Sequence, residues 1–201
     1  MGNTLVIGSG NAHKAAELMD ILHGLPWAVQ TLKAFPDIPE PEETGATFEE
    51  NALIKALYYR NAFNMPCIAD DSGLEVDALK GAPGVFSARY AGPGCTYDDN
   101  NRKLLTALLN VPDHARTARF VCCAAFADTD ASIYIVRGTV EGWIAFTPAG
   151  DNGFGYDPIF IPDGENRTFA EFSASEKHSI SHRGRAFRRF REYLEITRCT
   201  S

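Results

Sequence analysis

Between Thr117 and Ile144 the chain is committed to extended structure. Thr117 to Ala127 and Ser132 to Ile144 are rich in valine, isoleucine, cysteine and aromatic residues, and a short Asp128-Thr129-Asp130 break separates them. Two such runs across a polar break predict a long hairpin. A chain carrying it must build a sheet, and the helical patterns found elsewhere make the fold class α/β.

The rest of the sequence supplies those patterns. Thr4 to Ile7 reads as a short buried strand that breaks at Gly8-Ser9-Gly10-Asn11. A helix follows over 12–22, with Ala15, Leu18, Met19 and Leu22 on its apolar side. Trp27 to Leu32 reads as a second strand. Prolines 36, 39 and 41 alternate with Asp37, Glu40, Glu42 and Glu43 in an acidic loop that cannot be helical. Thr47-Phe48-Glu49-Glu50 has capping-box spacing and opens a helix reaching about Asn64, with Phe48, Ala52, Ala56 and Tyr59 toward the core. Asn51 and Lys55, four apart, share another face of it. Cys67-Ile68-Ala69 is a buried strand that Ser72-Gly73 stops. Residues 81–94 form a long ordered loop, 96–109 a helix, and 158–161 a short strand. A basic helix closes the chain and buries Phe187, Phe190 and Leu194. Two strand-rich halves with no disordered linker predict one domain over residues 1–201 with two lobes.

Composition narrows the function. At 45% hydrophobic and 22% charged the chain is ordinary globular protein. A net charge of -7 argues against nucleic acid as a partner, which calls for a basic face. The five cysteines show no CxxC spacing, fitting a reducing compartment, and Cys122 and Cys123 read as small buried hydrophobes. The start, Met1 to Ile7, lacks the charged and apolar regions of a signal peptide. The longest wholly apolar run, Phe120 to Ala127, cannot span a bilayer. The expectation is a soluble cytoplasmic protein without a membrane partner.

Several constellations carry chemistry. In Ser9-Gly10-Asn11-Ala12-His13-Lys14 a strand, a small-residue turn and a helix start make an anion cradle to which Lys14 adds charge; the alternative is a plain βα turn capped by Asn11. Asp70 and Asp71 follow the Cys67 strand and point to opposite faces, so one can hold a metal or activate water while the other braces the backbone. With Glu42-Glu43 they supply the hard oxygens magnesium prefers, unless the acidic loop is merely solvated. Gly153-Phe154-Gly155-Tyr156-Asp157-Pro158 is either a close-approach stacking loop or a turn with its aromatics in the core. Lys177, His178, His182 and Arg183 crowd the start of the last helix. His178 and His182 have metal-pair spacing but no third soft ligand, so Lys177, His182 and Arg183 fit anion or base contacts better. Together these describe a nucleoside phosphate bound through magnesium.

The same residues resemble the inosine/xanthosine triphosphate pyrophosphatases, nearly end to end and in that family's order. The matching blocks are Ser9-Gly10-Asn11 with Lys14 and Glu17; Glu42 to Ala52 with Lys55-Ala56; Ala69 to Leu74; Gly81 to Gly84 with Ser87 to Tyr90; Gly153 to Phe160; and Ser181 to Gly184. Ser9 stands where many members carry Thr, and the loop from Ile161 to Phe172 differs in detail. The resemblance implies an elongated mixed central sheet with helices, two lobes with the active-site cleft between them, and a homodimer. It implies Mg2+-dependent hydrolysis of ITP, dITP and XTP to the monophosphate and pyrophosphate. Ser9 to Lys14 and Lys55 would hold the phosphates, Glu43 and Asp71 the metal, and Asp71 would activate the attacking water. Ser72 would contact substrate, Phe154, Gly155, Tyr156 and Asp157 would shape the purine pocket, and Lys177, His182 and Arg183 would contact base and phosphate. Competing expectations are a pyrimidine nucleotide pyrophosphatase of the septum-inhibitor-like group, a nucleotide-binding regulatory module without catalysis, and an NAD-dependent enzyme.

Overall fold

The computed structural model describes residues 4–25 and 27–199, with side chains through residue 196. Met1-Gly2-Asn3 at the chain start and the side chain of Cys199 therefore lie outside the described residues. The strands are β1 (Thr4–Ile7), β2 (Ala28–Thr31), β3 (Cys67–Val76), β4 (Thr117–Ala127), β5 (Ile133–Ile144) and β6 (Phe160–Pro162). The helices are α1 (Ala12–Ile21), α2 (Phe48–Phe63), α3 (Tyr97–Ala107), α4 (Ala174–Ile180) and α5 (His182–Cys199). The strands form one sheet in the order β2-β1-β3-β4-β5-β6. β1 runs parallel to β2 and to β3, with Val6 opposite Cys67 and Ile7 opposite Ile68, whereas β6 runs antiparallel to β5. The expected mixed α/β class is correct. So is the hairpin: β4 and β5 are neighbours, and the Asp128 N–H donates to the Ser132 carbonyl across their turn.

By internal packing the chain divides into two compact units, whose boundaries fall inside β3, β4 and β5 and after His182. One takes the chain through Asp71, then Cys122–Gly138 and the chain from Arg183; the other takes Ser72–Val121 and Thr139–His182. Each has its own core. In the first, Leu5, Ile7 and Ile68 from the sheet pack with Leu18 and Leu22 of the α1 end and with Phe187, Phe190 and Leu194 of α5. A smaller cluster there joins Val6, Tyr59 and Cys67. In the second, Leu74, Val76, Phe120, Val140 and Ile144 pack with Leu104, Tyr156, Phe160, Phe169 and Phe172.

Local rules explain most of these elements. α2 begins at a reciprocal capping box: Thr47 accepts from the Glu50 N–H while Glu50 caps back onto Thr47. It ends at Asn64 in the left-handed region, φ 51. The four expected core residues of α2 are all buried. α3 has the same box in Thr96 and Asp99. Gly8 ends β1 where nothing larger fits, since a Cβ there would lie 2.7 Å from Tyr59 and 2.9 Å from Cys67.

Four expectations need correction. β3 does not stop at Ser72-Gly73 but runs on to Val76, because Leu74 and Val76 are fully buried in the second core and draw the backbone onward in extended form. Met19 is 39% exposed, because only Ala15, Leu18 and Leu22 of the proposed stripe turn inward. The loop over 81–94 contains a 3-10 segment, Gly84–Arg89, whose Ser87 hydroxyl receives the Leu74 N–H. The last strand begins at Phe160, because Asp157–Ile159 is a 3-10 turn.

Arg116 ties the second unit together outside its core. It is 2% exposed and donates to three carbonyls: Ile144 at 2.8 Å, Leu108 at 2.8 Å and Ala145 at 2.9 Å. Arg116→Ala removes all three donations, leaving the Leu108 carbonyl its bond from the Val111 N–H, and is expected to cost about 2–4 kcal/mol by urea unfolding. Arg116→Lys will recover little of this, since one ammonium cannot reproduce the planar fork.

Candidate active site

In the first unit the two aspartates of β3 serve opposite faces, as strand alternation requires. On one face, Asp71 accepts from the Asn51 side-chain amide at 3.2 Å and lies 3.6 Å from the Lys55 ammonium. Lys55 also donates to Glu43 at 2.6 Å. One turn of α2 thus presents an amide and a cation to the same carboxylate. The acidic loop reaches this cation because Gly45 packs flat on Asn51: its N–H donates to Asn51 Oδ1 at 2.8 Å, and a Cβ would meet that oxygen at 2.7 Å. Glu42 is exposed, so the solvated reading holds for it and not for Glu43, which turns inward.

Burial pushes the Asp71 carboxyl above the usual carboxylate range, and the Glu43 charge adds to this against the pull of Lys55 and Lys14. Lys55 is held above the usual lysine value: burial opposes its charge, but Asp71, Asp70 and Glu43 together outweigh that. The two oxygens facing Lys55 are the arrangement a small hard cation would exploit. Two carboxylates converging on one positive charge satisfy the minimum protein share for magnesium, the remaining positions going to water and phosphate. Glu43 and Asp71 therefore fit that ion. Among the described residues no group of three or more His, Cys, Asp or Glu is placed to hold a metal, so Glu43 and Asp71 would leave most of the coordination to water and phosphate.

On the other face, Asp70 is fully buried and ion-pairs with Lys14 at 3.1 Å and with Arg183 Nε at 3.7 Å. Arg183 also pairs with Glu17 of α1. Burial opposes the Arg183 charge, but Glu17 and Asp70 overcome it and keep the guanidinium protonated. Lys14 thus stands at one end of a chain of ion pairs running Glu17, Arg183, Asp70, Lys14. Asn11 caps α1, accepting from the His13 and Lys14 N–H groups at 3.0 and 3.2 Å. Ser9 is half-buried, and Gly10, Ala12 and His13 are exposed at this turn. Glu40 lies over it: a Cβ on Gly10 would come within 1.7 Å of its carboxylate.

The second unit holds the other predicted residues. Asp157 accepts from the Phe154 N–H at 2.7 Å and from Lys177 at 2.6 Å, with side-chain exposures of only 2% and 6% in the ion pair. The Lys177 ammonium stands 5.0 Å over the Phe154 ring. Tyr156 goes to the core, its hydroxyl donating to the Ser87 carbonyl at 2.9 Å, so Phe154 is the half-buried ring of this loop. Gly153, at φ 74, lets the loop close on Asp157, whose carboxylate a Cβ would meet at 2.1 Å. His182 is buried and stacks on Phe120, centroids 4.7 Å apart and planes 8° from parallel. Ser72 is half-buried, directly after Asp71.

Sequence reading sets Asp70 apart from Asp71 as a brace but does not name its cationic partners Lys14 and Arg183. It misses the roles of Asn51 and Glu17, although Asn51 shares a face with Lys55 and Glu17 stands among the matching blocks, and it misses the seating of Glu40 over Gly10.

The chain matches the model of the Ham1 family over residues 5–193. It is 49% identical over 92% of its length to a dITP/XTP pyrophosphatase of an Exiguobacterium species, covering 93% of that protein. It is 46% identical to a protein of the same name from Geobacter sulfurreducens, over 94% of this chain and 96% of that one. A HAM1 protein from Coxiella burnetii, of known structure, superposes with a TM-score of 0.89 at 42% identity, covering 96% of this chain and 99% of its own. With the family model spanning nearly the whole sequence and relatives this similar over nearly their whole lengths, the chain belongs to the Ham1 family.

Proposed function

We propose that this protein is a nucleoside-triphosphate pyrophosphatase that converts ITP, dITP and XTP to the monophosphate and pyrophosphate. The observation that carries this reading is the convergence of Asp71 and Glu43 on Lys55, in the unit that also carries the Lys14 helix start. The names of the relatives supply the class of base.

The phosphates fall to Ser9, Gly10, Asn11, Ala12, His13 and Lys14, whose helix-start N–H groups and ammonium favour anions, and to Lys55. Glu43 and Asp71 would hold Mg2+, which when bound neutralises phosphate charge. Asp71, braced by Asn51, takes a proton from the water that attacks the α-phosphorus. The α–β anhydride bond breaks, and pyrophosphate leaves with the bonding electrons. The Glu40 carboxylate must swing away from Gly10 as an anion arrives, because like charges cannot share that turn.

The base falls to the second unit's residues. Lys177 offers a donor that the C6 oxygen of hypoxanthine or xanthine accepts and the adenine amine does not. A site built on such hydrogen bonds rejects the wrong partner by up to ~10⁴–10⁵-fold. Phe154 supplies a ring face, Gly155, Tyr156 and Asp157 its backbone and brace, and Ser72 and His182 line the substrate. Arg183 is held by Glu17 and Asp70 and is assigned to the substrate's base and phosphate. We read the working enzyme as a cytoplasmic homodimer. The net charge of -7 supports a small-molecule substrate over nucleic acid. Among the described residues no helix is long and apolar enough to cross a membrane.

Incubation with magnesium and a panel of ITP, dITP, XTP, ATP, GTP, UTP and dTTP, resolved by ion exchange, tests the reading. Monophosphate and pyrophosphate from the first three, with the others nearly untouched, is the expected result. Preference for UTP or dTTP would instead assign the pyrimidine group, and no turnover a binding module. Lys14→Met is expected to weaken inhibition by inorganic tripolyphosphate roughly tenfold to a hundredfold, the loss of one charge-assisted contact.

A further inference from the structure

We propose that Asn101 of α3 is a positioning residue for base recognition, acting through the carbonyl of Gly155. The inference rests on the reading that the loop 153–157 takes the purine.

Asn101 is 5% exposed, and its side-chain Nδ2 donates to the Gly155 carbonyl at 3.0 Å. Gly155 stands at φ 67, a conformation side-chain-bearing residues rarely adopt, and a Cβ there would meet nothing within 4 Å. The glycine is thus required for its backbone conformation and not for space. The loop's own bonds run inward, the Phe154 N–H to the Asp157 carboxylate and the Asp157 N–H to the Phe154 carbonyl at 3.3 Å. Asn101, 54 residues away in sequence, ties the most permissive peptide of the loop to a helix.

The choice of an amide here is informative. Asn101 Oδ1 is buried with no hydrogen-bond partner among the described residues. An unsatisfied buried acceptor destabilises, and an apolar side chain of similar outline would avoid that cost. Only the donor end explains the residue. Asn100 beside it behaves differently, using both ends on the neighbouring segment: Oδ1 accepts from the Ala91 N–H at 2.7 Å, and Nδ2 donates to the Ala88 carbonyl at 3.2 Å. The Tyr156 hydroxyl then links the loop to the Ser87 carbonyl of that same segment. Adjacent asparagines of α3 therefore fix two segments that together set where Phe154 and the Asp157–Lys177 pair stand.

The test compares wild type with Asn101→Asp, which keeps the outline and removes the donor. Asn101→Ser, polar but too short to span the gap, covers the case in which the aspartate variant does not fold. KM and kcat are measured for dITP, XTP and GTP, and the inhibition constant for inorganic tripolyphosphate, which has no base. The expected result is a KM for dITP and XTP raised at least about tenfold, with kcat within about threefold and a reduced preference over GTP. The tripolyphosphate constant stays within about twofold, since the loop does not hold phosphate. Unchanged KM would overturn the proposal, and so would a parallel loss of tripolyphosphate binding, which marks general damage. Wild-type protein that binds tripolyphosphate yet leaves dITP and XTP intact would instead overturn the underlying reading, and the proposal with it.

Discussion

Asp71→Asn is expected to lower kcat by about 10²–10⁴-fold, the range a positioned base supplies, while leaving the melting temperature of the metal-free protein unchanged or higher. Both halves come from one geometry. Asn51 fixes Asp71 Oδ2, leaving Oδ1 on the Lys55 side, where the reacting phosphate is assigned. An asparagine keeps the outline but cannot accept the proton. Burial makes the Asp71 charge costly, as its raised proton affinity records, so a neutral amide relieves the fold. Competitive tripolyphosphate binding should survive, because Lys14 and the turn at Gly10 are untouched. Near-normal kcat in the variant would remove Asp71 from the base role. A large drop in melting temperature would show that the Lys55 pairing outweighs the desolvation.

Lys177→Met is expected to cost about 3–5 kcal/mol of stability, the usual effect of leaving one charge of a buried pair uncompensated. Asp157 would keep the Phe154 N–H but lose the ammonium at 2.6 Å, and almost none of its carboxylate reaches water. The double variant Asp157→Asn with Lys177→Met should recover much of that loss, since neutralising both partners removes the orphan charge. Urea unfolding of the two single variants and the double closes the cycle. Losses that simply add would mean the pair is not coupled. On the proposed function, the double variant stays folded yet loses its discrimination among bases, which separates stability from recognition.

How much of this was legible in advance depended on the range of the interaction. The capping box at Thr47, the stripe of Phe48, Ala52, Ala56 and Tyr59, and the hairpin turn at Asp128 are local rules written within a few residues. The opposite orientation of Asp70 and Asp71 follows from strand alternation, and both proved buried with cations. The extent of β3 was not legible. Asp-Asp-Ser-Gly has turn chemistry, and only the distant partners of Leu74 and Val76 keep it extended. The start of β6 was displaced because Asp157 makes its bonds within a 3-10 turn. Residues that brace the site are the least visible. The bonds from Asn51 and Asn101 span 20 and 54 residues; the shared face with Lys55 marks Asn51 as a neighbour of that cation, but neither asparagine carries a mark of which distant group its amide meets.

The proposed mechanism turns on which phosphorus the water attacks. Hydrolysis of dITP in ¹⁸O-labelled water, with both products examined by mass spectrometry, decides it. Label in the monophosphate and none in pyrophosphate is the predicted result, for water activated at Asp71 and attacking the α-phosphorus. Label in pyrophosphate, or release of labelled inorganic phosphate with the diphosphate, would contradict it.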